Sequence, residues 1–176
     1  MITILNKDFF DRNTIDVAKD LLGKLIYFIK DKVKICRIVE TEAYLINDPA
    51  CHAYNGINKK NSTMFKGAGL LYVYRIHQSY CMNITTKLGE AVLIRSCEPI
   101  FGIKGSTVGP GRLCKALGID KSYDGKSLFS SQDIFLVDDG FKVKEIEVTT
   151  RIGVTKAKDL PLRSFIKDNK YVSKRN

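Results

Sequence analysis

Lys24-Leu25-Ile26-Tyr27-Phe28-Ile29-Lys30 is followed by Asp31-Lys32 and then by Lys34-Ile35-Cys36-Arg37-Ile38-Val39-Glu40-Thr41-Glu42-Ala43-Tyr44. Both runs are rich in β-branched and aromatic residues, and a polar break separates them. That pattern predicts a β-hairpin. Upstream, Val17, Leu21 and Leu22 recur at helical spacing, with Thr14 as a candidate N-cap and Gly23 as a stop, so residues 14–23 are expected to be a helix. Downstream, residues 46–69 lack periodicity and carry Asn47, Asp48, Pro49, Gly56, Gly67 and Gly69. A loop of roughly 20 residues in a compact chain is more often functional than idle.

Leu70 to Ile76 and Tyr80 to Thr86 predict a second strand pair around a polar tip, His77-Gln78-Ser79. Ala91 to Ser96 predicts a short buried strand ending before Glu98-Pro99, and Gly109-Pro110-Gly111 opens a helix with Leu113, Ala116 and Leu117 on one face. Ile134 to Val137 and Glu145 to Val154 read as further strands. Sequential strands with a few helices predict an α+β fold around an antiparallel sheet.

The chain has 176 residues, enough for one well-buried core. No apolar run is long enough to span a membrane, and Met1 to Asp8 lacks the features of a secretory signal. Five widely spaced cysteines and two histidines form no metal-binding pattern, so free thiols in a reducing cytoplasm are expected. Lys plus Arg number 29 against 19 Asp plus Glu, a net charge of +10 shared by both halves of the chain. Such an excess favours a polyanion, either nucleic acid or an anionic membrane surface.

Chemistry gathers around the first hairpin. Glu40 and Glu42 share one face of the predicted strand, and either, in an apolar pocket, could serve as a general base. Tyr44, His52, Tyr54, Tyr72, Tyr74, His77 and Tyr80 could sandwich a planar ligand, with Lys59, Lys60, Lys66 and Arg75 interleaved to meet phosphates. Arg95 stands in the apolar run Ala91 to Ser96; if buried it needs a carboxylate such as Glu42.

At these residues the sequence resembles the alkyladenine (3-methyladenine) DNA glycosylase family. The motifs occur in that family's order: Arg37 to Tyr44 with His52 after it, Met64-Phe65, Gly69 to Tyr74, Cys81-Met82-Asn83, Val92 to Pro99, Gly109 to Ala116, Arg151 to Val154 and Pro161-Leu162-Arg163. The resemblance implies a single domain over residues 1–176, with a curved antiparallel β-sheet, flanking helices and a protruding β-hairpin; the basic composition of residues 163–176 itself predicts a partly disordered tail. It implies a monofunctional enzyme, acting without metal or cofactor, that flips an alkylated purine from double-stranded DNA and hydrolyses its glycosidic bond, working as a cytoplasmic monomer. Glu42 would be the catalytic carboxylate, with Arg95 and the backbone carbonyl of Ile152 helping to hold the water. Tyr44, His52, Tyr74, Asn83, Leu93 and Ile152 would form the base pocket, and Arg75, His77, Gln78, Lys66 and Arg112 would contact DNA. The rival reading is a non-catalytic DNA- or RNA-binding domain of the same fold.

One departure bears on the hairpin. The family pattern Y-x-I-Y-G carries a tyrosine that wedges into the gap left by the flipped base. Here the run is Tyr74-Arg75-Ile76-His77-Gln78, with His77 at the tyrosine position and the span to Asn83 one residue shorter.

Overall fold

The computed structural model describes residues 1–174. The expected hairpin forms from β2 (Leu25–Ile29) and β3 (Val33–Tyr44), paired from Leu25 opposite Arg37 to Ile29 opposite Val33. β3 outruns β2, and its second half needs another neighbour on the same edge. That neighbour is β9 (Arg163–Ile166), which pairs antiparallel with Glu40, Thr41 and Glu42. On its other edge β3 is covered by β6 (Ala91–Phe101). Register shifts between Ile38 and Thr41 mark bulges in this pairing, where the strand is re-aimed.

The remaining strands extend the sheet both ways. β7 (Ile134–Asp138) joins β2, and the two-residue β1 (Thr3–Ile4) joins β7. On the far side β5 (Ser79–Thr85) pairs with β6, and β4 (Leu71–Ile76) pairs with β5. β8 (Ile146–Thr149) pairs with β9, giving a nine-stranded antiparallel sheet in the order β1-β7-β2-β3-β6-β5-β4 with β8 and β9 branching from β3. The α+β expectation holds. The stretch from Arg163 is not a free tail: it supplies β9, and Ser173 is hydrogen-bonded to Glu40, while residues 175–176 of the expected tail lie outside the described residues.

Three boundaries differ from expectation. The helix α2 (Thr14–Asp20) is capped by Asn13, whose Oδ1 accepts from the amides of Ile15 and Asp16. Thr14 is buried instead, with its hydroxyl engaged by Thr86 at 2.8 Å and Glu90 at 2.6 Å. β6 runs on through Pro99, because proline is tolerated at a register break and β5 covers β6 only as far as Leu93. The strand expected at 145–154 stops at Thr149, since the chain turns in to bury Arg151. A short helix, α1 (Lys7–Phe10), precedes α2, and α3 (Pro110–Leu117) buries Leu113, Ala116 and Leu117 as expected. Each leucine on that face contributes about 1.5–3 kcal/mol by leaving water.

The sheet's apolar face, α2 and α3 enclose a core that includes Phe10, Leu21, Phe28, Ile94 and Leu117. A smaller cluster of Cys51, Ala53, Met64, Tyr72 and Ala91 lies under the long loop, with Tyr44 and Tyr74 packed against it. Among the described residues no helix is long and apolar enough to cross a membrane.

Candidate active site

The long loop is built rather than slack. Successive turns close through Asp48 N to Leu45 O, Cys51 N to Asp48 O and Tyr54 N to Cys51 O, at 2.9–3.1 Å. The buried Asn61 side chain ties the loop together by donating to the carbonyls of His52 (2.9 Å) and Gly56 (3.0 Å). This places His52 over β4. Its Nδ1 lies 2.8 Å from the Tyr72 hydroxyl, and its ring meets that of Tyr74 edge-on with centroids 4.4 Å apart. Burial disfavours the imidazolium and lowers the His52 pKa, so the ring is neutral at neutral pH.

A cavity of about 400 Å³ opens beside these rings. All six expected pocket residues line it: Tyr44, His52, Tyr74, Asn83, Leu93 and Ile152. Asn83 is buried and fixed by donation from Nδ2 to the Tyr72 carbonyl at 3.1 Å, so its amide group forms a rigid wall.

Glu42 is fully buried beside the cavity. Its Oε1 accepts from the Tyr44 hydroxyl at 3.1 Å and lies 3.4 Å from Arg95 Nη1. Its Oε2 accepts from the Ile152 amide at 2.6 Å. Ile152 therefore meets Glu42 through its N–H, where the expectation had assigned a role to its carbonyl. Burial raises the Glu42 pKa above the ordinary glutamate value, opposed by Arg95, the Ile152 amide and Tyr44. The result is a carboxylate held by three donors, more basic than one in water.

Glu40, the other candidate, is used differently. It is fully buried, but both oxygens are occupied, by Arg163 Nε at 2.6 Å and the Ser173 amide at 3.0 Å. Neither glutamate lines the cavity itself, but Glu42 is bonded to three residues that do, Tyr44, Arg95 and Ile152.

Ile152 is itself positioned by a pair absent from the expected site. Arg151 and Asp48 form a buried, two-point ion pair, and Arg151 also donates to the Ala43 carbonyl at 3.1 Å and lies over the Tyr44 ring at 4.7 Å. Only the residue types carried a hint, an arginine beside Ile152 and an aspartate in the loop. The two partners are 103 residues apart in sequence, beyond the reach of local patterning.

Next to the base-sized cavity lies a polar groove of about 830 Å³ lined by Arg95, Gly109, Gly111, Arg112, Lys170 and Lys174, among others. Gly109 adopts φ +102° to open α3, and its amide donates to Ser96 Oγ at 2.9 Å. Gly111 lets the second hairpin approach, since a Cβ there would stand 2.8 Å from the Ser79 Cβ. That hairpin turns at two residues, His77 and Gln78, with Ile76 opposite Ser79. Arg75, His77 and Gln78 are exposed at its tip, and Arg75 Nε donates to the His77 carbonyl at 3.0 Å. Ile76 lines the cavity and Ser79 the groove, so the tip stands between them. Of the expected DNA contacts, Arg112 lines the groove, whereas Lys66 is exposed elsewhere, after the one-turn helix Ser62–Phe65. Among the described residues no group of three His, Cys, Asp or Glu could hold a metal ion.

A buried carboxylate–arginine pair beside an aromatic cavity, flanked by a basic groove and an exposed hairpin, suits an enzyme whose substrate joins a planar group to a polyanion. The comparisons make that class specific. The profile of the methylpurine-DNA glycosylase family matches residues 8–170. A protein of Methanoculleus marisnigri named as a 3-methyladenine DNA glycosylase is 42% identical over 95% of this chain and 97% of its own. Like-named proteins of Francisella tularensis subsp. tularensis (43%, covering 92% of this chain and 94% of theirs) and Carboxydothermus hydrogenoformans (40%, covering 98% and 100%) are similar throughout. The chain belongs to the methylpurine-DNA glycosylase family. It is a monofunctional DNA glycosylase, a DNA-repair hydrolase of N-glycosyl bonds.

Proposed function

We propose that this enzyme flips alkylated purines of the 3-methyladenine type out of duplex DNA and cleaves the glycosidic bond with water activated by Glu42. The observation that carries this reading is the placement of Glu42: buried, raised in pKa, 3.4 Å from Arg95 and beside an aromatic cavity of about 400 Å³.

Sugar–base cleavage passes through an oxocarbenium-like transition state. The Glu42 carboxylate stabilises the positive charge at C1′ and takes a proton from the attacking water as the base departs. Arg95, Tyr44 and the Ile152 amide keep Glu42 ionised and fixed. The His52–Tyr74 pair and Tyr44 offer ring faces and edges to the base. Alkylation at N3 or N7 makes the purine cationic, which improves it both as a leaving group and as a partner for aromatic faces. The rigid Asn83 discriminates against the amino group of guanine by unfavourable contact. Arg112, Lys170 and Lys174 meet the phosphates, and the His77 tip fills the gap in the stack. One hairpin entering one groove needs only a monomer, placed in the cytoplasm with the nucleoid.

The test is release of free base from duplexes carrying 3-methyladenine, 7-methylguanine, hypoxanthine or ethenoadenine. Release of 3-methyladenine supports the reading. Binding without release of any of the four would establish the non-catalytic alternative.

A further inference from the structure

The mechanism uses Ile152 from the segment after β8, yet the four residues that follow it line the same cavity. The segment is pinned at both ends. The Ile152 amide donates to Glu42 at 2.6 Å, and the Ala157 carbonyl accepts from the buried Arg151 guanidinium at 3.3 Å. Gly153 at φ +75° begins the curl between those points, and Ala157 at φ +47° ends it. Lys156, one residue before the second anchor, is exposed and lines the cavity.

The described residues that line the cavity include two cations from long side chains, Arg95 and Lys156. Arg95 is engaged by Glu42 at 3.4 Å. Lys156 has no carboxylate within ion-pair distance and no side-chain hydrogen bond among the described residues. Other donors of the wall are turned to protein acceptors, the Tyr44 hydroxyl to Glu42 and the Asn83 amide to the Tyr72 carbonyl. The polar groove that carries Arg112, Lys170 and Lys174 shares Ile152 and Gly153 with the cavity but does not reach Lys156. Lys156 thus faces the occupant of the cavity rather than the run of phosphates.

We propose that Lys156 donates a hydrogen bond to the departing base and stabilises the negative charge that a neutral purine gathers as it leaves. The proposal rests on the reading of the cavity as the base site. Cleavage of the glycosidic bond leaves its electron pair on the purine. A purine alkylated at N3 or N7 starts as a cation and departs neutral, so it gains little from such a donor. A neutral purine, such as ethenoadenine or hypoxanthine, departs as an anion, and an ammonium beside its ring acceptors acts where that charge develops. The ammonium proton stays on Lys156, the attacking water gives its proton to Glu42, and the purine anion takes a proton from solvent after release. Lysine suits the place, because a flexible four-carbon stem brings three rotatable donors to whichever acceptor the ring offers.

Ethenoadenine is the probe, because it fluoresces and stacking in the duplex quenches it, so extrusion and release are read on one lesion. Lys156→Met keeps the stem and removes the ammonium. The ratio of ethenoadenine to 3-methyladenine release in single turnover should fall about tenfold or more, the scale of one hydrogen bond to a charged group. The fluorescence rise on binding should match the parent's, and Lys156→Arg should restore most of the ratio. An unchanged ratio overturns the proposal. So does a loss of fluorescence that matches the loss of release, which would make Lys156 an extrusion residue. A salt slope flattened by about 0.9, the mark of a phosphate contact, overturns it as well. A parent that releases 3-methyladenine but neither ethenoadenine nor hypoxanthine does the same. If the parent releases none of these bases, the reading of the cavity has failed, and this inference fails with it for that separate reason.

Discussion

At the residue scale the decisive fact is the unequal treatment of two carboxylates. Glu40 and Glu42 alternate onto one face, so sequence alone leaves both eligible. Their roles separate through partners from distant parts of the chain: Arg163 and Ser173, 123 and 133 residues on, take Glu40, while the Ile152 amide, 110 residues on, takes Glu42. The pairing of Arg95 with Glu42 was more legible, because an arginine in an apolar strand requires a carboxylate. Glu42→Gln keeps the side chain's shape and removes its charge. Excision should fall about 100-fold or more while affinity for an abasic-site duplex changes little. If Glu40→Gln were the variant that lost activity and Glu42→Gln kept it, the assignment would be wrong. The active form of Glu42 is the ionised one, and burial raises its pKa from the ordinary 4.5. The rate should therefore fall as pH drops through a midpoint above that value, measured by single-turnover release across the acidic range, and Glu42→Gln should lack this limb.

At the element scale, the long loop and the hairpin tip show where patterning reaches its limit. The loop's importance was readable from its length and its aromatics. Its order was not, because that depends on Asn61 closing it and on Arg151 burying Asp48 from the far end of the chain. Asp48→Ala takes the carboxylate from a fully buried guanidinium, which costs about 3–5 kcal/mol. A shift of about 2–4 °C per kcal/mol is usual at this size, so thermal unfolding should occur at least about 6 °C lower. An unchanged midpoint would show that the pair is dispensable. At the hairpin tip backbone geometry restricts the choice of residue. A two-residue turn demands positive φ, and His77 adopts φ +52°, which histidine tolerates better than most bulky residues. His77→Gly relaxes the turn and deletes the ring, separating the turn from the plug. Excision of hypoxanthine, a neutral and better-paired base, should suffer several-fold more than excision of 3-methyladenine, whose extrusion costs less. Equal losses would mean that another group at the tip, with Ile76 nearest the cavity, fills the gap.

At the scale of the whole molecule, the +10 charge gains a direction once the chain is folded. Composition announced a polyanion but could not say which face would meet it, since basic residues are spread over both halves. The fold gathers Arg112 from α3 with Lys170 and Lys174 from the last described residues along one groove beside the cavity. Lys32 lies instead in the turn joining β2 to β3, beyond the end of β6 remote from Arg95. Each phosphate neutralised releases counterions, so log affinity for undamaged duplex falls linearly with log salt, with a slope near −0.9 per contact. About five phosphate contacts would give a slope of about −4.5. If Arg112 and Lys170 each meet one phosphate, replacing both by alanine should flatten the slope by about 1.8 and weaken binding at low salt. Lys32→Ala removes a charge of the same kind from a surface that does not line the groove, and should leave the slope within error of the parent. The comparison tests location rather than charge. Equal effects of groove and turn substitutions would show that the duplex is drawn by net charge alone, and a parent slope near zero would remove the basic groove from the DNA footprint altogether.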